Sequence, residues 1–234
     1  MGKKKFDSNK SIDYNSDKQA KIKEILRLLE EHYSDATTEL KFNNPFELLI
    51  ATMLAAQCTD RQVNKVTPEL FRKYPGPAEM AALTPEELER EIYSCGFYKT
   101  KSRNIIETCK ILLAKYGGEV PPDMKALTSL PGVGRKTANV VLSNAFGEDA
   151  IAVDTHVFRV SNRLGLADAN DVLKTEQQLM QNIPKEKWSK AHHWLIYHGR
   201  RVCNARKPDC DNCFLQHLCR YWNMGQASPA FEKL

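Results

Sequence analysis

Leu130–Pro131–Gly132–Val133–Gly134–Arg135–Lys136 is a glycine-punctuated turn between two helical stretches, and its reading sets the fold class. Upstream, Asp123–Ser129 predicts a short helix, with Asp123 as candidate N-cap and Met124 and Leu127 on one face. Pro131 and Gly132 end it. Gly134 precedes a second helix, predicted over Arg135–Phe146, with Gly147 as its C-terminal stop. Val133, Ala138, Val141, Leu142 and Ala145 fit the helical period. Gly132 and Gly134 lack Cβ, so the turn can take positive φ and bring backbone close to a ligand. Free N–H groups at the start of the second helix then make an anion site. Such a grip holds phosphate without reading bases. An ordinary helical hairpin fits the same residues, and Gly-x-Gly alone leaves the two readings level.

Lys136 stands in the first turn of that second helix. A cation there opposes the helix macrodipole, and a packed position would further disfavour its charge. Both effects favour the neutral amine that a lysine nucleophile requires. A solvated lysine touching phosphate explains an isolated lysine more simply. Further on, the apolar run Ala150–Val153 leads to Asp154, a natural N-cap for a helix through Leu164 that Gly165 closes. Capping accounts for most aspartates so placed, but it does not account for one following this hairpin. Asp154 is therefore also a candidate charge partner. Hairpin, lysine and aspartate together fit an enzyme that holds a DNA backbone and attacks a sugar carbon.

Cys203, Cys210, Cys213 and Cys219 form C-x6-C-x2-C-x5-C. Thiols at this density, in a chain without a signal peptide, predict a metal site rather than disulfides. Four thiolates suit zinc or an iron–sulfur cluster equally, and the spacing matches neither common ferredoxin pattern. Arg201, Arg206, Lys207 and Arg220 flank the cysteines and are candidates to offset thiolate charge or contact phosphate. Cys58, Cys95 and Cys109 read as structural, Cys109 sharing an apolar helix face with Ile105, Ile106, Leu112 and Leu113.

The chain has 234 residues and a net charge of +5, enough to bury a core in one or two domains and compatible with, though not diagnostic of, a nucleic-acid partner. Its apolar runs fall far short of a membrane span. Lys3–Lys5 and Lys10 make a short basic tail, expected to be disordered and to add weak phosphate attraction. Ser16 and Gln19 resemble a capping box ahead of Ile22, Ile25, Leu26 and Leu29. Pro45 suits a first helical turn, Thr84–Pro85–Glu86–Glu87 starts another helix, and Ser102–Tyr116, Asp171–Ile183 and Lys185–Arg201 complete the set. No sustained period-two pattern occurs, so the fold class is all-α. His192, His193 and His198 read as packed and hydrogen-bonded within a helix rather than as metal ligands. His156 is nearer the proposed chemistry, as a structural or DNA-contacting group.

These residues converge on a known family. From about Ile22 to Cys219 the chain resembles the endonuclease III family, bifunctional DNA glycosylases of the helix–hairpin–helix superfamily. The resemblance rests on Ala55–Ala56–Gln57, Leu130–Leu142, Val153–Arg159, His192–Leu195, His198–Arg200 and the four cysteines. It implies a [4Fe-4S] cluster on Cys203, Cys210, Cys213 and Cys219. It implies Lys136 as the Schiff-base lysine and Asp154 as the catalytic aspartate. Gln57 would enter the gap left by a flipped base, and Phe97 would intercalate from the same side, where the family often has leucine. Leu130, Gly132, Val133, Gly134 and Arg135 would contact DNA. Two helical domains are implied: a six-helix block over about 38–149 containing the hairpin, and a second domain joining 1–37 to 150–234 with the cluster loop. A cleft between them would carry Lys136 on one wall and Asp154 on the other. The implied substrate is double-stranded DNA with oxidised or ring-saturated pyrimidines or abasic sites. A monomer is expected, cytoplasmic and nucleoid-associated in a bacterium, nuclear in a eukaryote. A monofunctional adenine glycosylase would share hairpin, aspartate and cluster but not Lys136. A non-catalytic DNA-binding module with a zinc knob needs neither Lys136 nor Asp154.

Overall fold

The computed structural model describes residues 8–225, with side chains from residue 17 onward. The basic tail Lys3–Lys5 lies outside the described residues, as does the side chain of Lys10. Every regular element among the described residues is helical. Two compact units result: one is the contiguous segment Thr37–Ala152, and the other joins the residues up to Ala36 to those from Val153 onward.

The contiguous unit holds seven α-helices: α2 Pro45–Ala55, α3 Asp60–Lys73, α4 Pro77–Ala81, α5 Pro85–Ile92, α6 Tyr98–Tyr116, α7 Met124–Thr128 and α8 Arg135–Ala145. That is one more than the expected six, because Pro77 starts an extra turn after Gly76. Helix α2 is apolar nearly all round, and Phe46–Leu54 is buried throughout. Such a helix must lie inside its unit. It packs on α3, α6 and α8, while α6 packs on α4 and α5. Leu48, Leu49, Ile50, Leu54, Ile105, Leu112 and Val141 meet in this core. Each fully buried side chain of that kind contributes about 1.5–3 kcal/mol. The unit ends at Ala152 rather than 149 because the buried Asn139 amide donates to the Ile151 carbonyl at 3.1 Å, tying that extended stretch to α8.

Local chemistry sets the helix starts. Asn44, Thr59, Thr84 and Asp123 accept from first-turn amides of α2, α3, α5 and α7. Thr84 and Glu87 form the full reciprocal capping box. Gly117 ends α6 in the left-handed conformation.

The second unit holds α1 Ser8–His32, α9 Thr155–Leu164, α10 Val172–Asn182, α11 Trp188–Arg201 and α12 Arg220–Asn223. The capping box expected at Ser16 is not a helix start: α1 begins at Ser8, since no glycine or proline between Lys3 and Asn44 interrupts it. Ile22, Ile25, Leu26 and Leu29 are buried. Helix α1 packs on α11, and α9 packs on α10, α11 and α12. Lys187 pairs with Glu30 at 2.6 Å, and Trp194 is fully buried. No helix among the described residues is long and apolar enough to cross a membrane.

Candidate functional site

The hairpin between α7 and α8 divides its residues into anchors and presenters. Leu130 and Val133 are buried in the core, so their side chains hold the turn and only their backbone can meet a ligand. A DNA contact at these two positions would therefore run through the main chain, in keeping with the backbone grip expected of the turn. Gly132 has φ +75, and a Cβ there would lie 2.8 Å from Asn104 Nδ2, so glycine is required twice over. Gly134 departs from expectation: with φ −87 and ψ 174 it is in ordinary extended backbone, and a Cβ on it would meet nothing within 4 Å. It is the N-cap of α8 and supplies no side-chain bond, so the first-turn N–H groups of α8 are uncapped. Arg135 and Lys136 follow, both exposed. The packed position expected for Lys136 is not there; what acts on it locally is the N-terminal end of the helix dipole.

Among the described non-glycine residues, only Gln57 and Phe97 have positive φ, +52 and +49. Left-handed backbone costs an L-residue about 1–2 kcal/mol. Strained residues of this kind cluster at functional sites, where the surroundings over-determine them. Gln57 is exposed, and Phe97 is 66% exposed, unusual for a large apolar ring. Both line one pocket of about 220 Å³ with Met53, Thr100, Asn104 and Gly132. Two predicted DNA-contacting side chains and the hairpin glycine thus share a single concavity of this unit.

Two further lining residues escaped the sequence reading. Asn104 packs on the hairpin through the missing Cβ of Gly132. Lys101 is buried, and its Nζ donates to the Leu54 carbonyl at 2.8 Å and the Cys95 carbonyl at 2.6 Å. Burial pulls its ammonium pKa down. Nothing local marks either residue, since both sit in an amphipathic helix pattern where lysine and asparagine are commonplace.

In the other unit, Asp154 is half-buried and caps α9, its Oδ1 accepting from the Val157 amide at 2.8 Å. Arg159 and Arg163 follow on the same helix, both buried. The Arg159 guanidinium donates to the carbonyls of Gly199 and Cys203, each at 3.0 Å. Arg163 donates to the carbonyls of Asn204 and Ala205 at 2.8 and 2.9 Å and lies 3.5 Å from Cys203 Sγ. Helices α9 and α11 touch closely here, since a Cβ on Gly199 would come 3.1 Å from His156 and Val160. The cations bonded to the backbone of the cysteine loop are these two, from α9. Arg201 stacks over the Tyr197 ring at 4.3 Å, Arg220 pairs with Asp168 at 3.0 Å, and Arg206 and Lys207 are exposed. Arginines from a distant helix are invisible to a reading of neighbours in sequence.

Cys203, Cys210, Cys213 and Cys219 line one small cavity with His198 and Leu164, and none is in a disulfide. Burial pushes the Cys213 thiol up to about 11 and raises those of Cys210 and Cys219. Buried thiolates need a positive partner, so this donor set fits a bound metal group. Among the described residues, no three His, Cys, Asp or Glu side chains are grouped as a single-ion site. His192, His193 and His198 are buried. His198 Nδ1 is 3.0 Å from the Tyr33 hydroxyl, and its Nε2 is 3.6 Å from Cys213 Sγ. These contacts join α11 to Tyr33, just past α1, and to the cysteine loop, so they run between elements rather than within one helix as expected. His156 Nδ1 lies 3.3 Å from the Arg159 guanidinium.

The family model for HhH-GPD superfamily base excision DNA repair proteins matches residues 50–185. Endonuclease III of Escherichia coli K12 is 51% identical over 203 residues, 87% of this chain and 96% of that protein. The chain belongs to the endonuclease III family. The Bacillus subtilis endonuclease III is 53% identical over 189 residues, 80% of this chain and 86% of its own. An endonuclease III solved as a trapped covalent intermediate with DNA superposes with a TM-score of 0.84 at 53% identity, covering 88% of this chain and 97% of that one.

Proposed function

We propose that this chain is a base excision repair DNA N-glycosylase with abasic-site lyase activity, acting on oxidised or ring-saturated pyrimidines in duplex DNA. The observation that carries the reading is the hairpin. An uncapped helix N-terminus with exposed Lys136 stands in the same unit as a pocket edged by two strained, exposed side chains.

The first-turn amides of α8, which no side chain of Gly134 caps, take a phosphate of the damaged strand. The damaged nucleotide is extruded, because its C1′ is out of reach within the stack. Gln57 and Phe97 fill the vacancy. The Lys136 amine attacks C1′ and the base leaves with the bonding electrons; the amine loses a proton and the C1′–O4′ bond opens, its electrons passing to O4′, which is protonated, so that a Schiff base results. Loss of the 2′ proton from that Schiff base then expels the 3′ phosphate by β-elimination. The Asp154 carboxylate stabilises the positive charge developing on the sugar. Exposure of Lys136 in the free chain means that the bound nucleotide itself must supply its desolvation.

Cys203, Cys210, Cys213 and Cys219 would hold a [4Fe-4S] cluster, which supplies charge compensation for the buried thiolates and cross-links their loop. Four thiols around one cavity suit zinc as well, and it is the likeness of the cysteine spacing to the family's cluster loop that favours iron. Arg159 and Arg163 join that loop to α9, so the cluster's role here is to hold the helix that presents Asp154. A monomer suffices, located wherever chromosomal DNA is.

The test is borohydride trapping on duplex carrying thymine glycol or an abasic site. A covalent protein–DNA adduct is expected with both; none with either overturns the reading. Anaerobically purified protein is expected to contain iron and sulfide and to absorb broadly in the visible. Stoichiometric zinc without iron overturns the cluster assignment.

A further inference from the structure

We propose that Lys101 is a positioning residue for base extrusion, its buried ammonium holding together the two loops that carry Gln57 and Phe97; this rests on the glycosylase reading above. The Leu54 carbonyl is one of the last of α2, a group that a helix end leaves without an intrahelical donor. Three residues later the chain reaches Gln57. The Cys95 carbonyl stands two residues before Phe97, at the end of the short 3-10 turn Tyr93–Cys95. Lys101 Nζ donates to both, at 2.8 and 2.6 Å. Its own amide donates at 3.0 Å to the Phe97 carbonyl. One residue of α6 thus spans both strained segments, and it lines the pocket that their side chains edge.

A lysine is a costly way to close two carbonyls. Lys101 is only 6% exposed, and a buried ammonium loses several kcal/mol of hydration. What that placement secures is geometry. Charge-assisted bonds are short and directional, and a cation also suits the negative end of α2. Left-handed backbone at Gln57 and Phe97 persists only if the surroundings impose it. The other ties include a side-chain hydrogen bond between Cys58 and Cys95, which also joins the two loops. Gln62 Nε2 donates to Ser94 Oγ at 2.9 Å, and Thr59 caps α3 just after Gln57. Release of the ammonium frees both loops to relax toward ordinary backbone, so two side chains that must enter one gap together lose their common frame.

The test compares Lys101→Met, which keeps length and helix propensity, with wild type in two reactions. One is single-turnover excision of thymine glycol from duplex, with a neighbouring 2-aminopurine reporting extrusion by fluorescence. The other is β-elimination at an abasic site in single-stranded DNA, which has no stack to invade. Misplacement of about 1 Å costs up to about 100-fold in rate, so duplex excision and the fluorescence step are expected to slow about 10- to 100-fold. Single-strand cleavage is expected to stay within about twofold, as for a site whose chemistry is untouched. In a Gln57→Ala, Phe97→Ala background, adding Lys101→Met is expected to cost less than about twofold, because residues acting as one unit are non-additive. Equal slowing of both reactions, full additivity in the cycle, or unchanged duplex excision each overturns the proposal. If the methionine variant does not fold, Lys101→Arg decides it: a smaller loss confined to duplex supports the proposal, and equal loss on both substrates overturns it. A wild-type chain that neither excises nor traps sinks the underlying reading and this proposal with it; wild-type excision with an indifferent Lys101 sinks this proposal alone.

Discussion

Helices α8 and α9 begin in opposite ways. At α9, Asp154 fills the cap and its carboxylate takes the Val157 amide. At α8, Gly134 leaves the first-turn amides open, with a lysine and an arginine exposed beside them. Six helices among the described residues have a side-chain cap of the first kind. The difference teaches what each start is for. A satisfied terminus is a foundation, and an unsatisfied one is a socket whose partner arrives from outside.

The largest expected effect breaks the socket's chemistry. Lys136→Gln is expected to reduce covalent trapping by at least about 1,000-fold, since a nucleophile has no substitute. Binding to abasic duplex should stay within severalfold, because amides and neighbouring cations still grip phosphate. Undiminished trapping removes Lys136 from the mechanism.

Asp154→Asn tests whether the foundation is only a foundation. Asparagine caps as well as aspartate, so the melting midpoint should hardly move. Excision in a single turnover is expected to slow about 100-fold, as for loss of a group facing transition-state charge. Affinity for DNA should hold or rise, since one negative charge has left the site. A wild-type rate reduces Asp154 to a cap.

Converting one start into the other gives a third test. Gly134→Asp meets no steric bar and would cap α8, adding about 0.3–1 kcal/mol of stability. DNA affinity should fall about tenfold, with a shallower salt dependence, because the carboxylate occupies the phosphate's place. Gly132→Ala, two residues earlier, is expected to cost about 1–3 kcal/mol instead, from positive φ and the 2.8 Å approach to Asn104. Thermal melts with filter binding separate the pair; similar behaviour of the two variants contradicts the account.

The smallest effect is on pH. All six histidines lie outside Thr37–Ala152. Burial lowers His193 to about 3 and His198 to about 4. Their rings are neutral when folded, whereas the unfolded chain takes up protons below about 6.5. Stability contributed by these two is therefore complete above that pH and is lost as pH falls toward 4 and then 3. Denaturant midpoints should drop between pH 7 and 5, and less steeply in His193→Asn. A flat wild-type profile contradicts this.

What the sequence made legible is what short-range chemistry controls. Asp123, Thr84–Glu87, Asp154 and Gly147 act on residues within four positions, and the helix ends they predict match within a residue or two. The hairpin, the two candidate catalytic residues and the cysteine set follow from spacing and family resemblance. Tertiary roles were not legible. That the Leu130 and Val133 side chains anchor the turn in the core, leaving only main chain to face a ligand, emerges from burial and not from the motif. Lys101, Arg159 and Arg163 each reach carbonyls that their own helix turn does not contain. The left-handed backbone at Phe97 has no signature, because nothing in Gly–Phe–Tyr demands it.

The discontinuous second unit has a consequence for synthesis. Helix α1 emerges first but packs on α11, so its apolar face waits while well over a hundred residues are made. The contiguous segment Thr37–Ala152 needs no such wait and can complete its core as soon as it leaves the ribosome. Closing the α1–α11 contact carries the larger loop entropy and is therefore the later, slower step. Cys203, Cys210, Cys213 and Cys219 emerge later still, so insertion of the cluster proposed for them would be an end-point of maturation: a nascent chain starved of iron would then carry a finished hairpin and an unfinished partner.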